Sequence, residues 1–309
     1  MKYKLKDINV IIPTMNRQKD IIETLQPIPD TIKEIIIVNQ GCKLNLTRVN
    51  KSLPIKIIES DPPAITIARN KGLQYATGKL ICYLDDDVTL HPKHFENMIE
   101  TVNNNPIAEG FAAWRYFEIT DKDILLDNIK KVFGLDRFFE KTAELRAPYQ
   151  NTYPYNPPAE ANASWFPGMN MMFKKEVFDV RRMRFDENLL GYTIAEDIDF
   201  TYSLYKKNPR ALIITSKCPI LHRSSQASRS DPKKLMYINQ VDHLYFAMKH
   251  NMLGRWWRNI FSLCLLRAGA AVVQPRKSLY FFQSLGYCFG HWSKIKRGKL
   301  REWDATIQS

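Results

Sequence analysis

The chain has 309 residues, of which 45 are lysine or arginine and 32 are aspartate or glutamate, so that its formal net charge is +13. This length exceeds one average domain, and it accommodates a single large domain with an appendage and a large buried core. The five cysteines are odd in number and have no CxxC spacing, which argues against a disulfide framework and a zinc site. The N-terminal sequence MKYKLKDINVIIPT lacks the small-residue cleavage site of a signal peptide, and we therefore expect a cytosolic location.

Alternating apolar and polar segments predict the secondary structure of the first half of the chain. Four short apolar segments have the composition of buried strands, namely residues 8–13, 34–38, 55–58 and 79–84. Helical patterns lie at residues 16–25, 65–76 and 92–102. An extended pattern follows at residues 107–119, and the segment between Leu145 and Phe166, rich in proline, tyrosine and asparagine, predicts a long mobile loop. Strands that alternate with helices predict an α/β fold with a mainly parallel sheet flanked by helices.

Three consecutive acids, Asp85, Asp86 and Asp87, end the fourth predicted strand. Carboxylates this close raise one another's pKa unless a positive charge lies among them. Because side chains alternate along an extended chain, Asp85 and Asp87 can face one side and Asp86 the other. Carboxylate oxygens are the ligands that magnesium and manganese prefer, and ligands collect at the carboxyl ends of parallel strands. The triplet therefore predicts a cation site, with a solvated turn as the alternative.

Six segments of the chain, in this order, match the motifs of a known family. They are VIIPTMNR (10–17), IIIVNQG (35–41), ARNKGLQYATGKLICYLDDDV (68–88), FPGMNMMFKKEVF (166–178), FDENLLGYTIAEDIDFTYSLYKKN (185–208) and LHRSS (221–225). Together they resemble the inverting nucleotide-sugar glycosyltransferases of family 2, which have the Rossmann-like GT-A fold. The resemblance implies a nucleotide-diphosphate sugar as donor, most of all a UDP-sugar, and a saccharide or lipid-linked saccharide as acceptor. It also implies Mn²⁺ or Mg²⁺ as cofactor and a role in cell-surface polysaccharide synthesis.

The resemblance also implies which residues bind the donor. They are Pro13, Thr14, Asn16, Arg17, Asn39, Arg69, Asp85, Asp86, Gly168 and Asn170. Asn39 stands where the family usually has an aspartate that binds the base, and its amide can donate as well as accept, so the base stays open. Arg69 matches the basic residue near the nucleotide, with a helix-surface arginine beside a carboxylate as the alternative. Gly168 would let the backbone approach the diphosphate or the acceptor, or would simply form a turn.

The metal ligands and the catalytic base follow from the same resemblance. Asp87 is the foremost metal ligand, Asp85 is a second, and His222 is a third from a late strand, although a structural histidine stays open. The family's Glu-Asp motif falls on Glu196 and Asp197, with Asp197 the first candidate for the general base and Glu196 the second. Taken alone, these acids also suit the start of a helix, where they complement its dipole.

The positive charge is concentrated near the C-terminus. Between residues 249 and 303 there are eleven lysines and arginines against one acid, so 11 − 1 = +10 of the net charge lies there. We predict that Arg255, Arg258, Arg276, Lys277, Lys294, Lys296, Arg297, Lys299 and Arg301 meet anionic headgroups while Trp256, Trp257, Phe261 and Trp292 enter the membrane interface. Packing of these helices on the catalytic domain or on a second subunit is the alternative.

We therefore predict two parts of the chain, a GT-A domain at residues 1–230 and a basic, aromatic helical extension at residues 231–309. The longest apolar stretch of the extension is interrupted by Arg267 and is shorter than the roughly 20 residues of a spanning helix. We expect a protein peripheral at the inner face of the cell membrane, with no nucleic-acid partner, because the charge is confined to this aromatic tail. A nucleotidyltransferase on a similar α/β sheet is the closest enzymatic alternative. Those enzymes carry a glycine-rich basic loop after the first strand, whereas the segment IPTMNRQKD at this place contains no glycine.

Overall fold

The computed structural model of the protein describes residues 2–49, 52–116, 118–135, 139–140, 142–154, 157–223 and 231–301. The strands are β1 (Ile8–Thr14), β2 (Glu34–Asn39), β3 (Ile55–Glu59), β4 (Leu80–Leu84), β5 (Val88–Thr89), β6 (Gly110–Arg115), β7 (Phe139–Glu140), β8 (Leu145–Ala147), β9 (Gln150–Asn151), β10 (Tyr153–Pro154), β11 (Glu160–Asn162), β12 (Asn170–Lys174) and β13 (Leu212–His222). The helices are α1 (Gln18–Leu25), α2 (Ile65–Tyr75), α3 (His94–Asn104), α4 (Asp121–Val132), α5 (Glu176–Asp179), α6 (Glu196–Lys207), α7 (Pro232–Lys249), α8 (Leu253–Gly269), α9 (Pro275–Gly290) and α10 (Trp292–Lys296).

One sheet of nine strands organises the described residues, in the order β11-β13-β6-β12-β4-β1-β2-β3, with β5 paired to β13. The strands β4, β1, β2 and β3 are parallel to one another, and β6 is parallel to β13. Strand β12 runs antiparallel between β4 and β6, and β11 and β5 are antiparallel to β13. Every residue of β1 and of β4 is buried, because both faces of the sheet are covered. The predicted α/β fold with a mainly parallel sheet is confirmed.

The ends of the predicted elements differ from the structure where the backbone leaves regular geometry. The first four predicted strands agree with β1 to β4 within one residue at each end. Helix α1 begins at Gln18 and not at residue 16, because Asn16 has a left-handed φ of 57°. The predicted extended stretch at residues 107–119 forms a strand only at Gly110–Arg115.

The segment predicted as a mobile loop is built into the fold in its described part. It contributes the short strands β8 to β11, and β11 pairs with β13 at the edge of the main sheet. Trp165 is 2% exposed, and its indole N–H donates to the carbonyl of Thr152 at 3.2 Å. Burial of these side chains supplies order that the composition of the segment does not indicate.

The C-terminal helices pack on one another and share the apolar core of the main sheet. Helix α7 contacts α8, α9 and α10. Trp256, Phe281 and Ile295 belong to the same buried apolar cluster as the strands of the sheet. None of the helices in the described ranges has both the length and the hydropathy needed to cross a bilayer. The five cysteines are free thiols.

Candidate active site

A cavity of about 610 Å³ opens at the carboxyl ends of the central strands. This volume lies in the range of small-molecule sites. Most of the residues that the sequence analysis singled out line it, namely Pro13, Thr14, Arg17, Arg69, Asp85, Asp86, Asp87, Gly168, Glu196, Asp197 and His222. They come from the ends of β1, β4 and β13, the loop before α1, helix α2, the turn before β12 and the start of α6. The fold therefore brings distant segments to one place.

Asp85, Asp87 and His222 form a cluster that fits a divalent cation. Each offers one ligand atom, and these atoms all lie within 4.8 Å of one another. His222 reaches the cluster because β13 pairs with β5, the strand that follows Asp87, and its Nε2 lies 2.8 Å from Oδ1 of Asp87. Two carboxylates and an imidazole suit Mn²⁺, while Mg²⁺ favours the carboxylates.

Asp86 lies apart from that cluster and holds the end of β1. Its carboxylate accepts a hydrogen bond from the Thr14 hydroxyl at 2.6 Å and from the Arg17 guanidinium at 2.9 Å. Burial raises the pKa of Asp86 to about 6, although Thr14 and Arg17 act in the opposite direction. Arg17 also lies 3.4 Å from the Asp87 carboxylate, so its guanidinium joins Asp86 to the cluster.

Arg69 connects the acidic triplet with the acids of α6. It is 2% exposed, and its guanidinium donates to Glu196 at 3.1 Å, to Asp85 at 3.4 Å and to the carbonyl of Gly168 at 3.1 Å. The alternative of a helix-surface arginine is therefore wrong. With both acidic groups as partners, Arg69 fixes the separation between them, because a buried guanidinium requires such partners.

The two acids at the start of α6 have different environments. Glu196 is buried and ion-paired with Arg69, whereas Asp197 is partly exposed and lines the cavity. The Asp197 carboxylate accepts backbone hydrogen bonds from Gly168 at 2.6 Å and from Ile198 at 2.7 Å. Burial raises the pKa of both carboxyl groups above its ordinary value, against the attraction of Arg69. A carboxylate with a raised pKa in a cavity is suited to accept a proton.

Gly168 is required by the site itself. A Cβ at this position would lie 2.9 Å from a guanidinium nitrogen of Arg69 and 3.2 Å from Oδ2 of Asp197. The glycine therefore lets the backbone approach two side chains of the cavity, in addition to the ligand predicted from the sequence. It also lies in a turn, the alternative given above.

Three residues that were predicted to bind the sugar donor do not line the cavity, namely Asn16, Asn39 and Asn170. Asn16 accepts from the backbone N–H of Cys42. The amide N–H groups of Asn39 are occupied by the carbonyls of Gly41 and Cys42 and by the carboxylate of Glu59, so they are not free to donate to a base. Asn170 is fully buried, and its side chain bonds to Ala113, Cys82 and His94 in the core.

The contacts that hold the loop before Glu196 were not predicted from the sequence. Asp242 of α7 is fully buried and accepts from the Thr193 hydroxyl at 2.7 Å and from Arg301 at 2.7 Å. Arg301 also donates to the carbonyl of Leu190 at 3.0 Å. The C-terminal extension therefore positions a loop that lines the cavity. An acid within the otherwise buried run of α7 was the available signal.

Comparison with known proteins agrees with this arrangement. Residues 9–182 match the model of the family described as Glycosyl transferase family 2. The chain belongs to this family. This family 2 chain is 28% identical over 121 residues to the uncharacterized glycosyltransferase YibD of Escherichia coli K12, a match that covers 36% of the chain and 35% of the relative. It is 25% identical over 185 residues to the glucosyl-dolichyl phosphate glucuronosyltransferase of Haloferax volcanii, covering 55% and 53% respectively. The chain thus spans only part of the length of either relative.

Two solved structures share the fold of this family 2 chain. The mannosyltransferase PcManGT from Pyrobaculum calidifontis, in complex with GDP-Man and Mn²⁺, has a TM-score of 0.56 at 14% identity, covering 90% of this chain and 86% of its own. TarS 1-349 from S. aureus, in complex with UDP-GlcNAc, has a TM-score of 0.51 at 14% identity, covering 93% and 80%. At these identities the likeness concerns the fold, which is the predicted GT-A fold.

Proposed function

We propose that the protein is a metal-dependent, inverting glycosyltransferase that moves a sugar from a nucleotide-diphosphate donor to a hydroxyl group of a saccharide or lipid-linked saccharide. The observation that carries the proposal is that one cavity holds both a cation-type cluster, Asp85, Asp87 and His222, and the separate carboxylate of Asp197. An inverting transfer needs these two functions at different places around the sugar. Membership of family 2 favours sugar transfer over nucleotidyl transfer.

The residues of the chain have distinct parts in this mechanism. A divalent cation at Asp85, Asp87 and His222 would supply positive charge to the leaving diphosphate. Asp197 takes the proton of the acceptor hydroxyl, and the backbone N–H of Gly168 holds its carboxylate in place. Arg69 and Glu196 keep Asp197 at its distance from the cation site. Thr14, with Asp86 and Arg17, shapes the end of β1 where the nucleoside docks.

A donor screen tests the proposal. Uridine and guanosine diphosphate sugars are added to the full-length chain with Mn²⁺ or Mg²⁺, and thermal unfolding and sugar hydrolysis are measured. A donor present at 100 times its Kd stabilises the folded state by about 2.7 kcal/mol, which raises the unfolding temperature measurably. UDP-sugars are the first expected hit. Absence of stabilisation and hydrolysis for every donor with either metal would contradict the proposed function.

We further propose that the C-terminal extension, residues 231–309, attaches the catalytic domain, residues 1–230, to the anionic inner face of the cell membrane. Several apolar side chains of α8 and of the following turn are exposed: Phe261 by 67%, Val272 by 92% and Val273 by 81%. Exposed basic residues accompany them, namely Arg255, Arg258, Arg276 and Lys277. Exposed apolar groups beside basic groups are the combination that binds anionic bilayer surfaces.

Two of the residues predicted to meet the membrane do not face it. Trp256 is fully buried and packs against Trp257 and Trp292, because α8 turns this side toward the core. The Arg301 guanidinium is ion-paired with the buried carboxylate of Asp242. The proposal therefore rests on Trp257, Phe261 and the turn after α8.

Substitutions on the exposed surface test membrane attachment better than truncation, because the extension also holds the loop before Glu196. We expect the double variant Phe261→Asp and Val272→Asp to lose co-sedimentation with anionic liposomes, since two acids replace the inserting side chains. Val180→Asp, an equally drastic change at a residue that is 74% exposed outside the extension, serves as the control. Raised salt should weaken binding of the wild type, because each well-placed basic residue contributes about 1 kcal/mol by attraction to anionic lipid. Equal binding of both variants, or a dimer in solution that buries this surface, would contradict the proposal.

A further inference from the structure

Arg115 is a cavity residue outside all six family-like segments. It is the last residue of β6, and it pairs with Ile220 of β13, two residues before His222. Its side chain lines the same cavity as Asp197 and the acidic triplet. Its place at the carboxyl end of a central strand is where ligands bind in sheets of this type.

Arg115 differs from the other arginines of the cavity in its partners. Arg17 is ion-paired with Asp86 and Asp87, and Arg69 with Asp85 and Glu196. Within the described ranges Arg115 makes no ion pair, and its buried Nε has no hydrogen-bond partner. Leaving a guanidinium half-buried without an anion is unfavourable, so an arrangement of this kind points to a partner that arrives with the substrate.

Tyr153 is the neighbour that Arg115 does have. The two side chains are hydrogen-bonded, and Tyr153 itself lines the cavity with 8% exposure. Burial raises the pKa of Tyr153 and keeps the phenol neutral. Its hydroxyl accepts from the guanidinium, and this contact orients the Arg115 side chain within the cavity. Trp114 holds the backbone next to this pair by donating its indole N–H to the carbonyl of Pro154 at 2.9 Å.

We propose that Arg115, oriented by Tyr153, forms an oxyanion-binding subsite of this cavity that takes a phosphate or carboxylate group of the substrate. The planar guanidinium matches two oxygens of such a group at once. The inference rests on the proposed function and adds a substrate class to it. The oxyanion comes either from the diphosphate of the donor or from an anionic group of the acceptor, such as a lipid-linked phosphate.

Binding measurements on the full-length chain with Mn²⁺ separate these sources. The probes are uridine and guanosine diphosphate for the donor, and inorganic phosphate and decyl phosphate for an anionic acceptor, the latter two added with the nucleotide at saturation. Arg115→Gln removes the charge, and Tyr153→Phe removes the hydroxyl. Arg210→Gln is the matched control, because Arg210 is exposed and precedes β13 at its opposite end.

We expect Arg115→Gln to weaken one class of probe on the order of 10-fold or more, as loss of a hydrogen bond to a charged group typically does. Arg115→Lys keeps the positive charge but lacks the planar guanidinium with its paired N–H donors, so its loss of binding should be smaller. This variant also tests the inference if the glutamine variant does not fold. Weaker nucleotide binding assigns the subsite to the donor, and weaker phosphate binding beside bound nucleotide assigns it to the acceptor. Folded Arg115 variants that bind every probe like the wild type would overturn the inference. Failure of the wild type to bind any nucleotide would instead count against the proposed function.

Discussion

Asp197→Asn should lower the rate of sugar transfer on the order of 10²-fold or more while donor affinity changes little. Asparagine keeps the size of the side chain and can still accept from the N–H of Gly168, but it cannot take a proton. The measurement is the steady-state rate with the donor found in the screen, together with the Kd of that donor. Because burial raises the pKa of Asp197, the wild-type rate should also increase with pH over a higher range than an exposed aspartate would give.

Glu196→Gln is the matched control for this variant. Glu196 is the neighbouring acid, and its ion pair with Arg69 makes it a positioning residue in the proposed mechanism. Glutamine retains a hydrogen bond to Arg69, so we expect a smaller loss of rate and a similar pH profile. If Glu196→Gln has the larger loss of transfer rate and Asp197→Asn stays active, the roles of the two acids are reversed. Product NMR should show an inverted anomeric configuration, and retention would refute the mechanism altogether.

Asp87→Ala should abolish transfer and remove the metal-dependent part of donor binding. Asp87 is 3% exposed on its side chain, contacts His222 and belongs to the cluster that fits a cation. The fold should persist, because Arg17 keeps its closer partner Asp86 at 2.9 Å and the loss of one carboxylate relieves repulsion within the triplet. Isothermal titration calorimetry with the nucleoside diphosphate, in the presence and absence of Mn²⁺, measures the effect.

An exposed acid outside the cavity provides the control for Asp87→Ala. Asp30→Ala removes the same charge from a turn and should bind donor and metal as the wild type does. Circular dichroism and thermal unfolding without metal show whether Asp87→Ala is folded. Full activity of Asp87→Ala, or full activity of the wild type in excess chelator, would contradict a role for the cation.

Local patterns in the sequence were sufficient for the central sheet and for much of the cavity. The apolar runs of β1, β2 and β4 indicated strands covered on both faces, because in such strands every side chain must be apolar or paired. The acids after β4 and at the start of α6 were identifiable from the sequence. Each group lies at the end of a strand or helix that the spacing of apolar residues over a few positions indicates. Family resemblance then supplied the expectation that these separate segments meet.

Tertiary structure alone decided where polar side chains point and which charges pair. Asn39 and Asn170 match the order of the motifs, yet neighbouring carbonyls and core groups occupy their amides. Arg69 is buried between Asp85 and Glu196, and Asp242 and Arg301 hold a loop from far along the chain. Short-range periodicity determines which face of an element is apolar, but the partner of a buried charge depends on packing between elements distant in sequence. For this reason the sequence by itself determined the sheet and its acidic ends. Only the folded arrangement set the ion pairs, the position of Arg115 beside Tyr153 and the contribution of the C-terminal helices to the site.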